Sequence, residues 1–126
     1  MLESVYEEAL VWELRSRGLI LLAAEIALAE GADFLKTSTG KVAVNATREA
    51  AEILLTCIRR DGRKIGFKAA GGIKTAQDAA NYLALADQIM GRGWVSPMSF
   101  RFGASGVLND LLAAAEGRSA AAQAGY

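Results

Sequence analysis

The chain of 126 residues contains no histidine. That removes serine–histidine and cysteine–histidine nucleophile pairs, together with every histidine metal site. Cysteine is almost as scarce. Cys57 stands alone, which excludes an internal disulfide and a multi-thiolate metal centre. Its surroundings, Ile53-Leu54-Leu55-Thr56-Cys57-Ile58, read as the buried face of a helix, so the expectation is a core thiol in a reducing, cytoplasmic setting. Net charge is missing too, since fourteen basic and fourteen acidic residues cancel. A neutral total gives no electrostatic footprint for nucleic acid or an anionic membrane, although local basic groups still suit a small anion. Long hydrophobic runs are also absent. The apolar stretch from Leu19 to Ala29 is interrupted by Glu25 and is too short to span a bilayer, and Glu3, Glu7 and Glu8 stand where a basic leader would be expected. With 52% hydrophobic and 22% charged residues, what remains is the profile of one soluble domain with a real core.

The pattern along the chain supplies the architecture. Leu2, Val5, Tyr6, Ala9, Leu10 and Leu14 recur at helical intervals over 3–17, with Gly18 as a stop, and a second helical stretch covers 20–30 up to Gly31. The alternative is one helix that carries Gly18 at a cost of about 1 kcal/mol. Ala32 to Thr37 is short and extended. A helix over 48–60 is capped by Thr47, and Asp61-Gly62 makes the following turn. A second strand covers Lys64 to Lys68. Thr75 and Asp78 form a capping-box pair ahead of a helix over 76–90. Phe100 to Ala104 is a third strand, and a last helix runs over 107–115. Strand and helix alternating three times predict an α/β fold of parallel βα units, with near-continuous apolar strands buried on both faces.

Three features fall at the C-terminal ends of these strands, where such folds place their ligand sites. Lys36 ends the first strand, where desolvation favours the free, nucleophilic amine over the ammonium. Lys68 holds the equivalent place in the second strand, and two ammonium groups that close repel, so one is driven toward the free base. The third feature is a set of glycine-rich loops suited to a phosphate: Ser38-Thr39-Gly40-Lys41, Gly71-Gly72-Ile73-Lys74 and Gly103-Ala104-Ser105-Gly106. The last two lead toward helix N-termini. A single strand-end lysine is usually a surface residue, and a lone Gly-Gly is usually a turn. The coincidence of two lysines and three loops on one edge is what points to a site.

The segments Gly31-Ala32-Asp33-Phe34-Leu35-Lys36-Thr37-Ser38-Thr39-Gly40-Lys41, Gly66-Phe67-Lys68-Ala69-Ala70-Gly71-Gly72-Ile73 and Phe100-Arg101-Phe102-Gly103-Ala104-Ser105 resemble deoxyribose-phosphate aldolases, from about Leu22 to about Glu116. The resemblance implies a class I aldolase on a (β/α) TIM barrel, needing no metal or cofactor, that cleaves 2-deoxyribose 5-phosphate to glyceraldehyde 3-phosphate and acetaldehyde. It implies that Lys36 is the Schiff-base lysine and Lys68 the lysine that perturbs it. Gly40, Lys41, Gly71, Gly72, Gly103 and Ser105 match phosphate-binding positions, and Gly106 stands where the family often has another serine.

A barrel of this kind takes about 250 residues, so the chain carries about three of its strands. The family's catalytic aspartate and a further lysine lie on earlier strands, and their lack implies proton transfer slowed by about two to four orders of magnitude. Residues 2–19 resemble a stretch of the GxxExxY proteins. The organisation expected is an N-terminal amphipathic helix over 1–19, a partial barrel over 20–117 and a disordered tail over 118–126. Raw sheet edges predict a homo-oligomer. The partner expected is a small phosphorylated sugar, bound with turnover or, in the alternatives, bound without it or not bound at all by an inactive recombined fragment.

Overall fold

The computed structural model describes residues 2–37 and 47–118, with side chains from residue 16 onward. Its order is α1 (Leu2–Ala29), β1 (Phe34–Lys36), α2 (Arg48–Asp61), β2 (Gly66–Ala70), α3 (Ala76–Met90), β3 (Phe100–Gly103) and α4 (Gly106–Ala115). Of the two readings of the N-terminal region, one continuous helix is what forms. Gly18 lies inside it, with open space where a Cβ would be. The helix ends where glycine can take φ of 87°, at Gly31. There the Ala32 N–H donates to the Ala27 carbonyl and the Gly31 N–H to that of Leu28, a Schellman termination.

Helices α2 and α3 each start on a side chain that satisfies otherwise orphaned amides. The Thr47 hydroxyl accepts from the Ala50 N–H, and the Thr75 hydroxyl from the Asp78 N–H. The α2–β2 turn is tied back to α1. Arg63 donates from Nη2 to the Leu28 carbonyl at 2.7 Å and from Nε to Asp61 at 2.6 Å. This neighbour holds the Asp61 carboxyl below its usual range, chiefly through the side-chain hydrogen bond. A second link, the ion pair between Arg17 and Glu49, joins α1 to the start of α2.

The three strands form one parallel sheet in the order β1-β2-β3. Leu35, Phe67 and Phe100 are cross-strand partners in register and share one face, as do Ala69 and Phe102. Leu35, Phe67, Ala69 and Phe100 join a single core with Ala24 and Leu28 of α1, Leu54, Leu55 and Ile58 of α2, Leu85 of α3 and Val107 of α4. Phe67 and Leu55 are fully buried, and the Phe67 and Phe100 rings meet 5.5 Å apart. Cys57 belongs to this core as well, and burial pushes its thiol up, with Glu25 adding to the shift and Arg60 opposing it.

Two expectations need correcting. The strands are not buried on both faces: Lys36 and Arg101 are exposed and Lys68 is half-buried, so the sheet has one helix-covered face and one open one. The second strand also runs over Gly66–Ala70 instead of 64–68, which places Lys68 at its centre. Pairing starts only where the Gly66 N–H donates to the Asp33 carbonyl and the Phe67 N–H to that of Ser99. Beyond Lys68, Thr37 prolongs the ladder: its hydroxyl donates to the Ala70 carbonyl at 2.9 Å and accepts from the Ala70 N–H at 3.0 Å.

Candidate active site

Strand alternation and register put Phe34, Lys36, Gly66, Lys68, Ala70, Arg101 and Gly103 on the open face. Lys36 pairs with Lys68, and Lys68 with Arg101. Three cations therefore cross the sheet in one row, one strand spacing of about 4.8 Å apart at the backbone. Like charges directly opposite one another cost stability, so the row does not itself contribute to folding. Among the described residues neither lysine forms a hydrogen bond or an ion pair with a carboxylate.

Two glycines shape what lies around the row. A Cβ on Gly66 would come within 2.2 Å of the Phe34 ring, so that ring lies across Gly66 on the neighbouring strand. The Arg101 guanidinium sits over the same ring, 4.0 Å from its centroid, having reached across from β3. A cation on an aromatic face contributes about 0.5–2 kcal/mol and fixes the planar group in place. At the other level of the sheet, a Cβ on Gly103 would come within 2.8 Å of both Lys68 Cε and Ala70 Cβ. The Lys68 stem thus leans toward the C-terminal edge, into space left by glycine.

The edge expected to bind an anion is more selective than the loop sequences suggest. Gly71 and Gly72 both have positive φ, 88° and 77°, a backbone that side-chain-bearing residues adopt only with strain. The α3 N-terminus just beyond them is already occupied by carboxylates. Asp78 accepts from the Lys74 and Thr75 N–H groups, and Asp110 of α4 accepts from the Ala76 N–H at 2.6 Å. Those amides hold the Asp78 carboxyl below its usual range, the Lys74 N–H most of all. The α4 N-terminus differs: Ser105 caps it with no side-chain hydrogen bond, which leaves an exposed hydroxyl beside the first-turn amides. Of the expected phosphate positions, Gly71, Gly72, Gly103 and Ser105 gather along this edge. Gly40 and Lys41 lie outside the described residues.

Beside β1, a cavity of about 680 Å³ is bounded by Ile20 and Ala24 of α1, by Phe34, Lys36 and Thr37, and by Glu49 of α2. Lys36 is thus reachable both from the open face and from this flank. Among the described residues no cluster of acidic, histidine or cysteine groups is arranged to hold a metal ion. No described helix is long and apolar enough to cross a membrane. Reading the sequence alone missed Arg101, Phe34 and Gly66 as a unit, and Asp110 as a partner of α3. A glycine inside a buried strand was the available signal for the first. Nothing local pointed to the second.

Comparison with known proteins gives this geometry a context. The family model described as DeoC/LacD family aldolase matches residues 4–111. A deoxyribose-phosphate aldolase from Agrobacterium fabrum (strain C58 / ATCC 33970) is 60% identical over 115 residues, covering 90% of this chain and 44% of that protein. The chain thus spans less than half the length of that curated relative. The family match begins at residue 4, so the aldolase likeness reaches into α1 and does not start near Leu22. Three parallel strands alternating with helices are the corresponding arc of a TIM barrel. The chain belongs to the DeoC/LacD aldolase family.

Proposed function

We propose that this chain carries the Schiff-base half of a class I deoxyribose-phosphate aldolase, with Lys36 as the imine-forming nucleophile and Lys68 as its charged neighbour. The observation that carries the reading is the register pairing of Lys36 with Lys68 on the open face of adjacent parallel strands. Lys36 Nζ adds to the C1 aldehyde of open-chain 2-deoxyribose 5-phosphate, and loss of water gives the protonated imine. The C2–C3 bond then breaks. The 3-hydroxyl loses its proton to a base, C3 leaves as the aldehyde of glyceraldehyde 3-phosphate, and the electron pair moves into an enamine. Protonation at C2 and hydrolysis release acetaldehyde and restore the amine. No cofactor enters these steps.

The phosphate is received at the C-terminal edge, by the Gly71-Gly72 amides and by Ser105 with the α4 N-terminus, next to Gly103; Gly40 and Lys41 complete that set. With no carboxylate paired to either lysine among the described residues, water serves as the base, and turnover falls by about two to four orders of magnitude. Incubation with acetaldehyde or deoxyribose 5-phosphate, borohydride reduction and mass spectrometry test the reading. An adduct on Lys36 is expected. A full-length aldolase labelled under the same conditions, with none here, ends it.

A second reading, phosphate-ester binding without turnover, is favoured by the absence of a side-chain cap on α4 and by the positive-φ glycine pair. Sugar-phosphate binding that survives Lys36→Met but fails on Gly72→Ala or Ser105→Ala would mark it. Exposed leucines and isoleucine on α1 (Leu19, Leu22, Ile26) and on α4 (Leu108, Leu111, Leu112) support a homo-oligomer. The neutral charge and single thiol support a cytoplasmic setting without nucleic-acid or membrane partners.

A further inference from the structure

Lys68 and Arg101 are neighbours in register on one face, yet their side chains depart in opposite directions. Arg101 reaches toward the N-terminal level of the sheet, where the Phe34 ring lies across Gly66. The Lys68 stem runs toward the C-terminal level, against Gly103 and Ala70. The ring face beside Gly66 is the one apolar surface on this row able to attract a cation, and Arg101 already holds it. Lys68 is thus denied that seat and repelled by its occupant. The Lys68 stem lies instead in the slot at Gly103, where that residue has no side chain to stand in its way.

We infer that Arg101 is a positioning residue: seated on Phe34 over Gly66, it steers Lys68 into the Gly103 slot and so brings its amine to the mouth of the sheet. Arg101 acts through Lys68 and does not touch the substrate. Gly66 and Gly103 serve the same end, one admitting the ring and the other admitting the lysine stem. This assigns Gly103 a duty apart from phosphate binding. The catalytic benefit rests on the Lys36 imine proposed above, but the placement of Lys68 does not.

The test measures Lys68 itself. The intact chain is labelled with trace acetic anhydride, and acetylation of each lysine is followed by mass spectrometry, with Lys64 and Lys74 as internal references. In Arg101→Met the ring is vacated and Lys68 settles on it, so its labelling falls about fivefold, the population shift expected for one cation–π contact. Arg101→Lys, which can still occupy the ring, restores most of the labelling. Gly103→Ala closes the slot and lowers Lys68 labelling with Arg101 in place. Should Arg101→Met fail to fold, Arg101→Gln vacates the same ring while leaving it in place, and carries the same expectation. Unchanged Lys68 labelling in a folded Arg101→Met or Arg101→Gln variant overturns the inference. A wild-type chain that gives no Lys36 imine, but shows the Lys68 changes, defeats the aldolase reading and leaves the positioning role standing.

Discussion

The two faces of the sheet are made by the same three strands and obey opposite rules. Behind it, Leu35, Phe67, Ala69 and Phe100 fill a continuous core with the four helices. In front, Lys36, Lys68 and Arg101 are ranged side by side, with glycines where bulk would be expected. The contrast teaches where stability resides and where it has been given up. Burial of apolar surface stabilises by roughly 25 cal/mol per Å², whereas a row of like charges only detracts. The first face holds the chain together so that the second can be kept in an unfavourable arrangement.

The sharpest way to break this comparison is Phe67→Ala. The residue is fully buried behind the charged row, and its loss should cost about 3–5 kcal/mol by denaturant titration. A loss below about 1 kcal/mol would show that the covered face is not the source of stability. Next comes Gly66→Ala on the open face. The new Cβ meets a ring held under Arg101, so the ring must move, and destabilisation of about 1–3 kcal/mol is expected. Pairing it with Phe34→Leu should recover most of that, since the obstacle is gone.

Asp78→Ala is smaller, about 1 kcal/mol by thermal melting at neutral pH, because it removes the carboxylate that accepts the Lys74 and Thr75 amides. Its pH dependence has a definite sign. The folded state holds the Asp78 carboxyl below its ordinary value, so its contribution is present above that value and is lost as pH falls through the lowered one. The gap between wild type and variant should therefore be constant near neutrality and close below about pH 4. A gap that widens in acid contradicts the capping role. The smallest effect is expected for Lys36→Met. Removing one charge from the row should leave stability unchanged or raise it by up to about 0.5 kcal/mol, even as borohydride labelling disappears.

Much of this was legible from local chemistry. Thr47 and the Thr75–Asp78 pair announced α2 and α3 because caps act within four residues, and Gly31 and Gly62 marked stops that need left-handed backbone. The pairing of Lys36 with Lys68 followed from strand periodicity and parallel order. What escaped depends on partners distant in sequence. The register that starts β2 at Gly66 is set by Asp33 and Ser99, each more than thirty positions away in the chain. The same holds for Asp110 at the start of α3, and for Arg101 over Phe34. Gly18 misled in the other direction, as its cost is small enough for a long helix to absorb.

Gly66 and Gly103 reverse the usual logic of a mutational scan. Across most proteins, cutting a side chain back to alanine reports what the lost atoms contributed, and adding one methyl is the gentlest probe available. On this surface, clearing a lysine removes a burden, whereas a single added carbon at either glycine displaces a ring or an amine. Any survey that skips glycines, or scores them as inert linkers, will find the charged residues dispensable for folding and overlook the two positions that decide where those charges point.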